Sequence, residues 1–516
     1  MPDIPFKISS IFGGWSICDY FNIAGQFLSS VGIDPDMPST DTGNKPCGYI
    51  RPTAMAKFSG SNVNATPLFI LTNPKNSLIY VILSNGRVIS YDSSLENETL
   101  IGTLTGSEAK GSDYYDNYLY IARKTDIARY GPLNGTPSLT QSFWQGTLGL
   151  TALVNTTYPS INGIQIPNHQ MHRHTDDALY VCNVLSSNKG SLNKIKTKKT
   201  IVEGDTDNSS EADVLDFGYG IFPICCETYQ TDLVVALLEG VNTSRMRGKL
   251  SFWDTTSASF TSITSIEAPK EKEIFTAIKN INGTLYVFSG FITGGCRVSK
   301  LVSGYSLEEI VYLPEEYPPI SKGAVDHIIN RFVWGSNTIE PEASGSVFSI
   351  GAKEKNLPMG LHNILRCSGT GNNPIVTAVK YIQANGKIVQ PIIGWKDADG
   401  YGIDAISTTY GDNNVFRSEV IVPEEYNENR FILKQLRIPF MQAIAANMTL
   451  KIYIYGDNAV NNRTWTISNA TRYSGKRAVV IRPEIEFTNN LFMQFEWEGS
   501  ALLTVALPIT GIMRIS

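Results

Sequence analysis

A hairpin unit that recurs along the chain constrains this sequence more than anything else in it. Its clearest copy is Ser77 to Tyr91, SLIYVILSNGRVISY, in which two alternating apolar strands flank Asn85-Gly86. Period-two alternation on both sides of Asn-Gly predicts a two-residue hairpin turn with positive φ at both central residues. Related units are NYLYIARKTDIARY from Asn117, DALYVCNV from Asp177, TDLVVALL from Thr231 with GKLSFWD, NGTLYVFSG from Asn282 with CRVSKL, NRFVWGS from Asn330 with GSVFSIG, and QPIIGW from Gln390 with YGIDAI. Their first inward apolar residues are Ile79, Leu119, Leu179, Leu233, Leu285, Phe332 and Ile392, 40 to 60 residues apart. A four-stranded sheet with two apolar faces cannot bury both by itself, whereas radial stacking of several such sheets buries every face. The expected fold is all-β, with a β-propeller of about seven blades.

Composition agrees with that class. A chain of 516 residues exceeds one ordinary core, but a propeller distributes its core around a ring. Only 18% of residues are charged, and sustained helical periodicity is missing beyond short pieces such as Tyr20 to Val31. With 43 basic against 48 acidic residues, there is no electrostatic case for nucleic acid as a partner. No segment reaches the roughly 18 apolar residues of a membrane helix, and MPDIPFKISS lacks a basic region followed by an apolar run. Synthesis in a cytoplasm, without membrane insertion or a standard export signal, is the expectation. The odd set of Cys18, Cys47, Cys182, Cys225, Cys226, Cys296 and Cys367 lacks metal spacing and fits reduced thiols. Cys225 and Cys226 are adjacent and must face opposite sides of any strand. Sequons such as Asn134 and Asn282 follow from an Asn- and Thr-rich composition.

Three regions follow from the patterning. Residues 1–60 are rich in Gly, Pro and Asp with little alternation, and read as an extended N-terminal arm, either a strap on its own chain or a link to a neighbour. Residues 61–410 hold the repeated units. The third unit is the least regular: Lys189, Lys194, Lys196, Lys198 and Lys199 precede Glu203, Asp205, Asp207, Glu211 and Asp213, which reads as a solvated loop. Residues 411–516 change pattern to consecutive strands with short turns, RSEVIVPEEY, NRFILKQLRIPF, NMTLKIYIYGD, RTWTISNAT, KRAVVIRPEIEF, NNLFMQFEWEG and SALLTVALPITGIMRIS, the signature of a C-terminal β-sandwich. The long apolar strands Met448 to Tyr455 and Leu502 to Ile515 would present adhesive edges if free, so packing against the propeller or another chain is expected.

Candidate chemistry is sparse. HQMHRHTDD, His169 to Asp177, carries three of the five histidines; on a strand His172 and His174 project to one side, where they either ligate a metal with an acidic third partner or hydrogen-bond within the structure. In DADGYGID, Asp397, Asp399 and Asp404 resemble part of a calcium loop, but Thr408 stands where a bidentate Glu is needed, and the Asp-Gly suffices as a turn. Glu315-Glu316 and Glu424-Glu425 both occur as PEEY; adjacent carboxylates on an extended chain point apart, unlike the set pair of a glycosidase. No Asp-box, GxSxG, HExxH or P-loop is present. No catalytic, cofactor-binding or metal residue is therefore assigned, and the chain is expected not to be an enzyme. Tyr114, Tyr115 and Tyr401 are candidate stacking platforms for sugar, or ordinary rim residues.

Several stretches carry a resemblance. IIGWKDADGYGIDAIST (Ile392 to Thr408) followed by FRSEVIVPEEYNENRFILKQLRIPF and NMTLKIYIY resembles the β-propeller virion proteins of tailed bacteriophages, and FGGW, GQFLSSVGIDPDMP and GYIRPT are similar to their N-terminal region. The likeness runs over most of the chain, and its Trp395 to Asp404 signature names no catalytic residue. It implies a structural component of a virion, in the tail, fibre or head-tail region, assembled in the host cytoplasm. The implied partners are other virion proteins and further copies of the chain, with a host-surface glycan or receptor as a candidate. The reading from a different class is a glycan-active propeller enzyme, which requires a carboxylate pair or an Arg-Tyr-Glu group converging in the central mouth.

Overall fold

Strand alternation and turn residues are local signals, and both are realised. A computed structural model describes residues 3–8, 14–15, 26–27, 29–34, 49–50, 52–53 and 55–515, except 74–77, 107, 198–208, 242, 258–263, 304, 329–330, 339–343, 352–359, 385–387, 408–413, 422–428, 458–461, 500 and 502. Among the described residues the chain is all-β, and its one regular helical element is the 3-10 turn Lys322–Ala324. Helical character is not found near residue 26: Gln26–Phe27 and Ser29–Val31 are extended and paired, because neighbouring strands offer hydrogen bonds that a short, poorly capped helix lacks. Tyr20 itself lies outside the described residues. None of the described helices is long and apolar enough to cross a membrane.

Seven four-stranded antiparallel sheets follow one another along the described chain. Their first strands are Pro67–Thr72, Gly111–Tyr115, Met171–Arg173, Ile221–Tyr229, Ile274–Ile281, Val325–Ile328 and Ile375–Ala384. The seven apolar positions aligned from sequence, Ile79 through Ile392, all fall on the second strands of these sheets. Each is fully or almost fully buried, because a second strand has neighbours on both sides and packed faces above and below. Six sheets are built from consecutive strands. The seventh borrows Met55–Lys57, which pairs with Tyr401–Ile406, so a strand from upstream of residue 61 completes it.

The turn in the first hairpin differs from the one expected. Gly86 N–H donates to the Leu83 carbonyl at 2.9 Å, and of the two central residues Gly86 alone has positive φ, at 81°. The strands Ile79–Leu83 and Arg87–Tyr91 leave a three-residue loop in which glycine supplies the left-handed residue. Asn85 instead accepts the Arg87 N–H at 3.2 Å through its side chain, which satisfies the turn without a left-handed Asn.

Neighbouring sheets meet closely. The first strands touch one another in chain order, and the last, Ile375–Ala384, lies against the first, Pro67–Thr72. Glycine permits this contact at the sheet boundaries: a Cβ on Gly190 would sit 1.9 Å from the Ile221 carbonyl oxygen, and one on Gly394 would sit 2.5 Å from the Pro67 side chain. An apolar cluster runs between the sheets from Leu68 and Phe69 through Ile121, Val234 and Ile278 to Ile375.

The C-terminal region forms two five-stranded sheets around a separate apolar cluster that includes Phe431, Leu450, Phe495 and Met513. Alternation in Asn490–Glu498 buries Leu491, Met493, Phe495 and Trp497 and leaves the intervening residues half-exposed. Burial of each large apolar side chain contributes about 1.5–3 kcal/mol. Both long strands expected to pack against the propeller or another chain are instead interior to the C-terminal sheets of their own chain. Thr449–Gly456 pairs with Arg463–Ser468 and Asn490–Glu498, and Ile509–Ile515 pairs with Phe431–Pro439 and Asp3–Ile8. The N-terminal segment thus supplies strands to both sheets, Asp3–Ile8 to one and Ser29–Val31 to the other. Beyond Ser29–Val31, Asp34 pairs with the buried Arg331 of the sixth sheet at 2.8 Å, and Thr53 donates to the Ile364 carbonyl at 2.6 Å.

Candidate functional site

The first strands of all seven sheets border one cavity of about 410 Å3. Because side chains alternate along a strand, residues that do not enter the inter-sheet core face this space. Every sheet except the first sends an ionisable group into it: Asp113, His172, Glu227, Lys279, Asp326 and Lys380, joined by Lys322 from the 3-10 turn. Ser321 caps that turn by accepting the Gly323 N–H at 3.1 Å, and Gln170 accepts the Lys322 N–H at 2.9 Å, which aims Lys322 into the cavity.

Lys322 is the hub. Its Nζ lies 3.1 Å from Glu227 Oε2, donates to the Cys226 carbonyl at 2.9 Å and lies 2.6 Å from His172 Nδ1. An ammonium only donates, so His172 Nδ1 accepts and its proton sits on Nε2. That nitrogen is 2.8 Å from Thr228 Oγ1 and 3.3 Å from Glu227 Oε1. Burial and the Lys322 charge together pull His172 down to about 3, so the imidazole is neutral at neutral pH. Burial alone would raise Glu227, but Lys322 outweighs it and holds the carboxyl at about 2. Burial acts against the Lys322 cation too, yet Glu227 and Asp113 keep it above the ordinary lysine value.

A second pair stands further round the cavity. Lys380 lies 3.3 Å from Asp326, which also accepts the Tyr381 N–H at 2.8 Å. Burial raises Asp326, but Lys380 and Lys279 bring its carboxyl below the usual range. Asp113 behaves oppositely. Burial pushes it up against the pull of Lys322, although it accepts the N–H groups of Tyr114 and Arg173 at 2.7 and 3.3 Å. The same cavity therefore holds carboxyls shifted in opposite directions.

The histidine cluster is resolved by a threonine. His172 and His174 share a side as the alternation requires, and both rings reach Thr228 Oγ1, at 2.8 and 3.0 Å. His169 is fully buried, with Nδ1 2.9 Å from the Cys182 carbonyl and its pKa drawn down to about 4 by burial. Among the described residues no group of three or more His, Cys, Asp or Glu side chains is placed to hold a metal ion.

Asp397, Asp399 and Asp404 do not converge as a calcium loop would. Asp397 fastens its own turn, accepting the N–H groups of Asp399 and Gly400 at 2.9 and 2.7 Å, and ties in Gly371 at 2.9 Å. Asp404 accepts Trp395 Nε1 at 2.6 Å and both the N–H and hydroxyl of Ser368 at 2.6 and 2.8 Å. Asp397 and Asp399, but not Asp404, border a different cavity, of about 600 Å3, beside Lys57 and Tyr401.

Tyr115 is fully buried, its hydroxyl donating to the Asp177 carbonyl at 2.6 Å, so it offers no stacking face; Tyr114 and Tyr401 each border a cavity. Lys189 and Lys194 lie in the strand Lys189–Ile195, and Glu211 and Asp213 in Glu211–Tyr219, rather than in a loop, because pairing with Leu179–Val184 extends the sheet. Lys198, Lys199, Glu203, Asp205 and Asp207 lie outside the described residues, as do Cys18, Cys47 and Glu424-Glu425. Glu315 and Glu316 diverge, the first exposed and the second buried.

Most of the charged belt escaped sequence reasoning because each sheet contributes one member. A local signal did exist. Phe275-Thr276-Ala277-Ile278-Lys279 and Val376-Thr377-Ala378-Val379-Lys380 repeat one pattern, each with a bulge at its threonine and its lysine in the cavity. A lysine in an otherwise apolar strand is the mark that could have been read. No protein-family model and no curated protein matches this sequence.

Proposed function

We propose that the seven small sheets are the blades of a closed β-propeller, and that the protein is a non-enzymatic structural component of a bacteriophage particle. Contact between the last and first of the first strands supports ring closure, as does the completion of the seventh sheet by Met55–Lys57. The observation that carries the structural role is the interlocking of the chain. Its N-terminal segment completes the seventh sheet and also adds strands to both C-terminal sheets. A body stitched in this way presents loops on a rigid frame, and repeated copies convert weak contacts into firm attachment. Tail, fibre and head-tail positions all suit such a module, as does adhesion to a host-surface glycan. The resemblance of Ile392 to Thr408 and of the following strands to phage propeller proteins points the same way.

Mass spectrometry of purified particles, with copy number measured against the major capsid protein, tests this reading. A fixed low copy number is expected. A chain found free in the lysate and missing from particles sinks it.

A glycan-hydrolysing activity is the second reading. It is favoured by Asp113 and Glu227, whose carboxyls are pushed in opposite directions within one cavity that Tyr114 and Arg173 also border. Against it, Glu227 is committed to Lys322 and His172. Turnover of a bacterial surface glycan that disappears in Asp113→Asn would establish it.

A further inference from the structure

The cations of the central cavity are not equivalent. Lys322 is held by Glu227 and Lys380 by Asp326, at 3.1 and 3.3 Å. Lys279 lines the same cavity from the fifth sheet, and among the described residues its side chain makes neither a hydrogen bond nor an ion pair, although Glu227 and Asp326 act on its charge from a distance. It is only partly exposed, and the strand around it, Ile274–Ile281, buries Ile274, Phe275, Ala277 and Ile278. An ammonium left without a partner in such surroundings is costly, and an anion entering the cavity relieves that cost.

The geometry points to a binding site for a small oxyanion, a carboxylate or phosphate group, seated on the ammonium of Lys279. Lys322 and Lys380 stand in the same cavity but are balanced by Glu227 and Asp326, which leaves Lys279 as the cation without its own carboxylate, while burial pushes the remaining carboxyl, Asp113, toward its neutral form. Partial burial strengthens each charged hydrogen bond formed there. Burial lowers the Lys279 pKa and the charges of Glu227 and Asp326 oppose that, so a bound anion also favours its protonated form. A volume of about 410 Å3 admits phosphate or a sugar acid together with water. This inference is independent of the virion reading, since an anion site serves a structural protein and an enzyme alike.

Calorimetric titration of the full chain at pH 7 and low ionic strength, with sodium phosphate and separately with sodium glucuronate, distinguishes an inorganic ligand from a sugar acid. Glucose serves as the neutral control. Saturable binding of at least one anion and none of glucose is expected. Lys279→Met should weaken that binding at least about tenfold, as loss of a charged hydrogen bond does. Lys279→Arg should retain it within about threefold, and Lys300→Met, on the surface, should leave it unchanged. Thermal unfolding checks that Lys279→Met is folded, and Lys279→Gln replaces it if it is not. Absence of saturable anion binding in the unaltered protein, or binding that survives removal of the Lys279 charge, overturns the site.

Discussion

The indole Nε1 of Trp395 donates to Oδ1 of Asp404 at 2.6 Å, linking adjacent strands of the seventh sheet, and the remaining valences of Asp404 are filled by Ser368. Asp404 is fully buried. Its carboxylate joins the sheet to the segment arriving from the sixth, which gives the Trp-to-Asp signature a structural reason. Replacing Asp404 with Ala orphans the buried indole donor of Trp395 and two half-buried donors of Ser368, and a loss of about 3 kcal/mol is expected. Urea unfolding followed by tryptophan fluorescence measures it; a loss below about 0.5 kcal/mol would show that water substitutes for the carboxylate.

Glu316 is buried and its carboxyl is pushed up to about 9, first by burial and then by the charge of Glu315. The folded protein therefore keeps a proton that the unfolded chain releases above the ordinary glutamate value of 4.5, and stability falls as pH rises through that window. Glu316→Gln is neutral at every pH. It should be more stable than the unaltered chain by about 2 kcal/mol at pH 8, with little difference at pH 4. Equal pH profiles for the two proteins would place the titration elsewhere.

The acid limb has other owners. Burial draws His169 to about 4 and His172 and His362 to about 3, so the unfolded chain binds protons first as pH falls below 6.5. Stability from these groups is complete above 6.5 and is lost toward pH 4 and 3. The loss reaches about 1.4 kcal/mol per pH unit for each group. Glu227 adds a further loss between the ordinary glutamate value of 4.5 and about 2. The melting temperature should fall continuously from pH 6.5 to 4, and a flat profile there would contradict neutral buried imidazoles.

Asp3–Ile8 covers the edge of Ile509–Ile515, and Arg514 clasps Asp3 at 2.7 and 3.3 Å. A chain beginning at residue 9 exposes that apolar edge. Self-association visible by light scattering is expected, together with a lower melting temperature. A monodisperse product of unchanged stability would mean that the strand contributes nothing to the C-terminal sheets.

At the boundary between the third and fourth sheets, Gly190 faces the Ile221 carbonyl where a methyl group has no room. Gly190→Ala forces the two sheets apart and should cost about 2–4 kcal/mol in chemical denaturation. Tolerance of alanine would show that the boundary is looser than the geometry implies.

Strand positions and their grouping into seven units were legible in the sequence, because alternation and turn residues act within a few positions of one another. Ile79, Leu119 and the five positions aligned with them needed only their neighbours to be recognised as buried. The convergence of His172 and His174 on one side was also local, but Thr228 as the residue they share belongs to another sheet. Tertiary structure alone decided that Met55–Lys57 completes the seventh sheet, and that Asp3–Ile8 lies beside Ile509–Ile515. An edge strand takes its place from whichever unpaired backbone it reaches in space, and no local pattern records that choice. The charged belt of Asp113, Glu227, Lys279, Lys322, Asp326 and Lys380 has the same origin. Each sheet but the first contributes an ionisable member and the 3-10 turn adds Lys322, and only the meeting of the sheets sets them around one cavity, where burial and opposite charges determine their protonation.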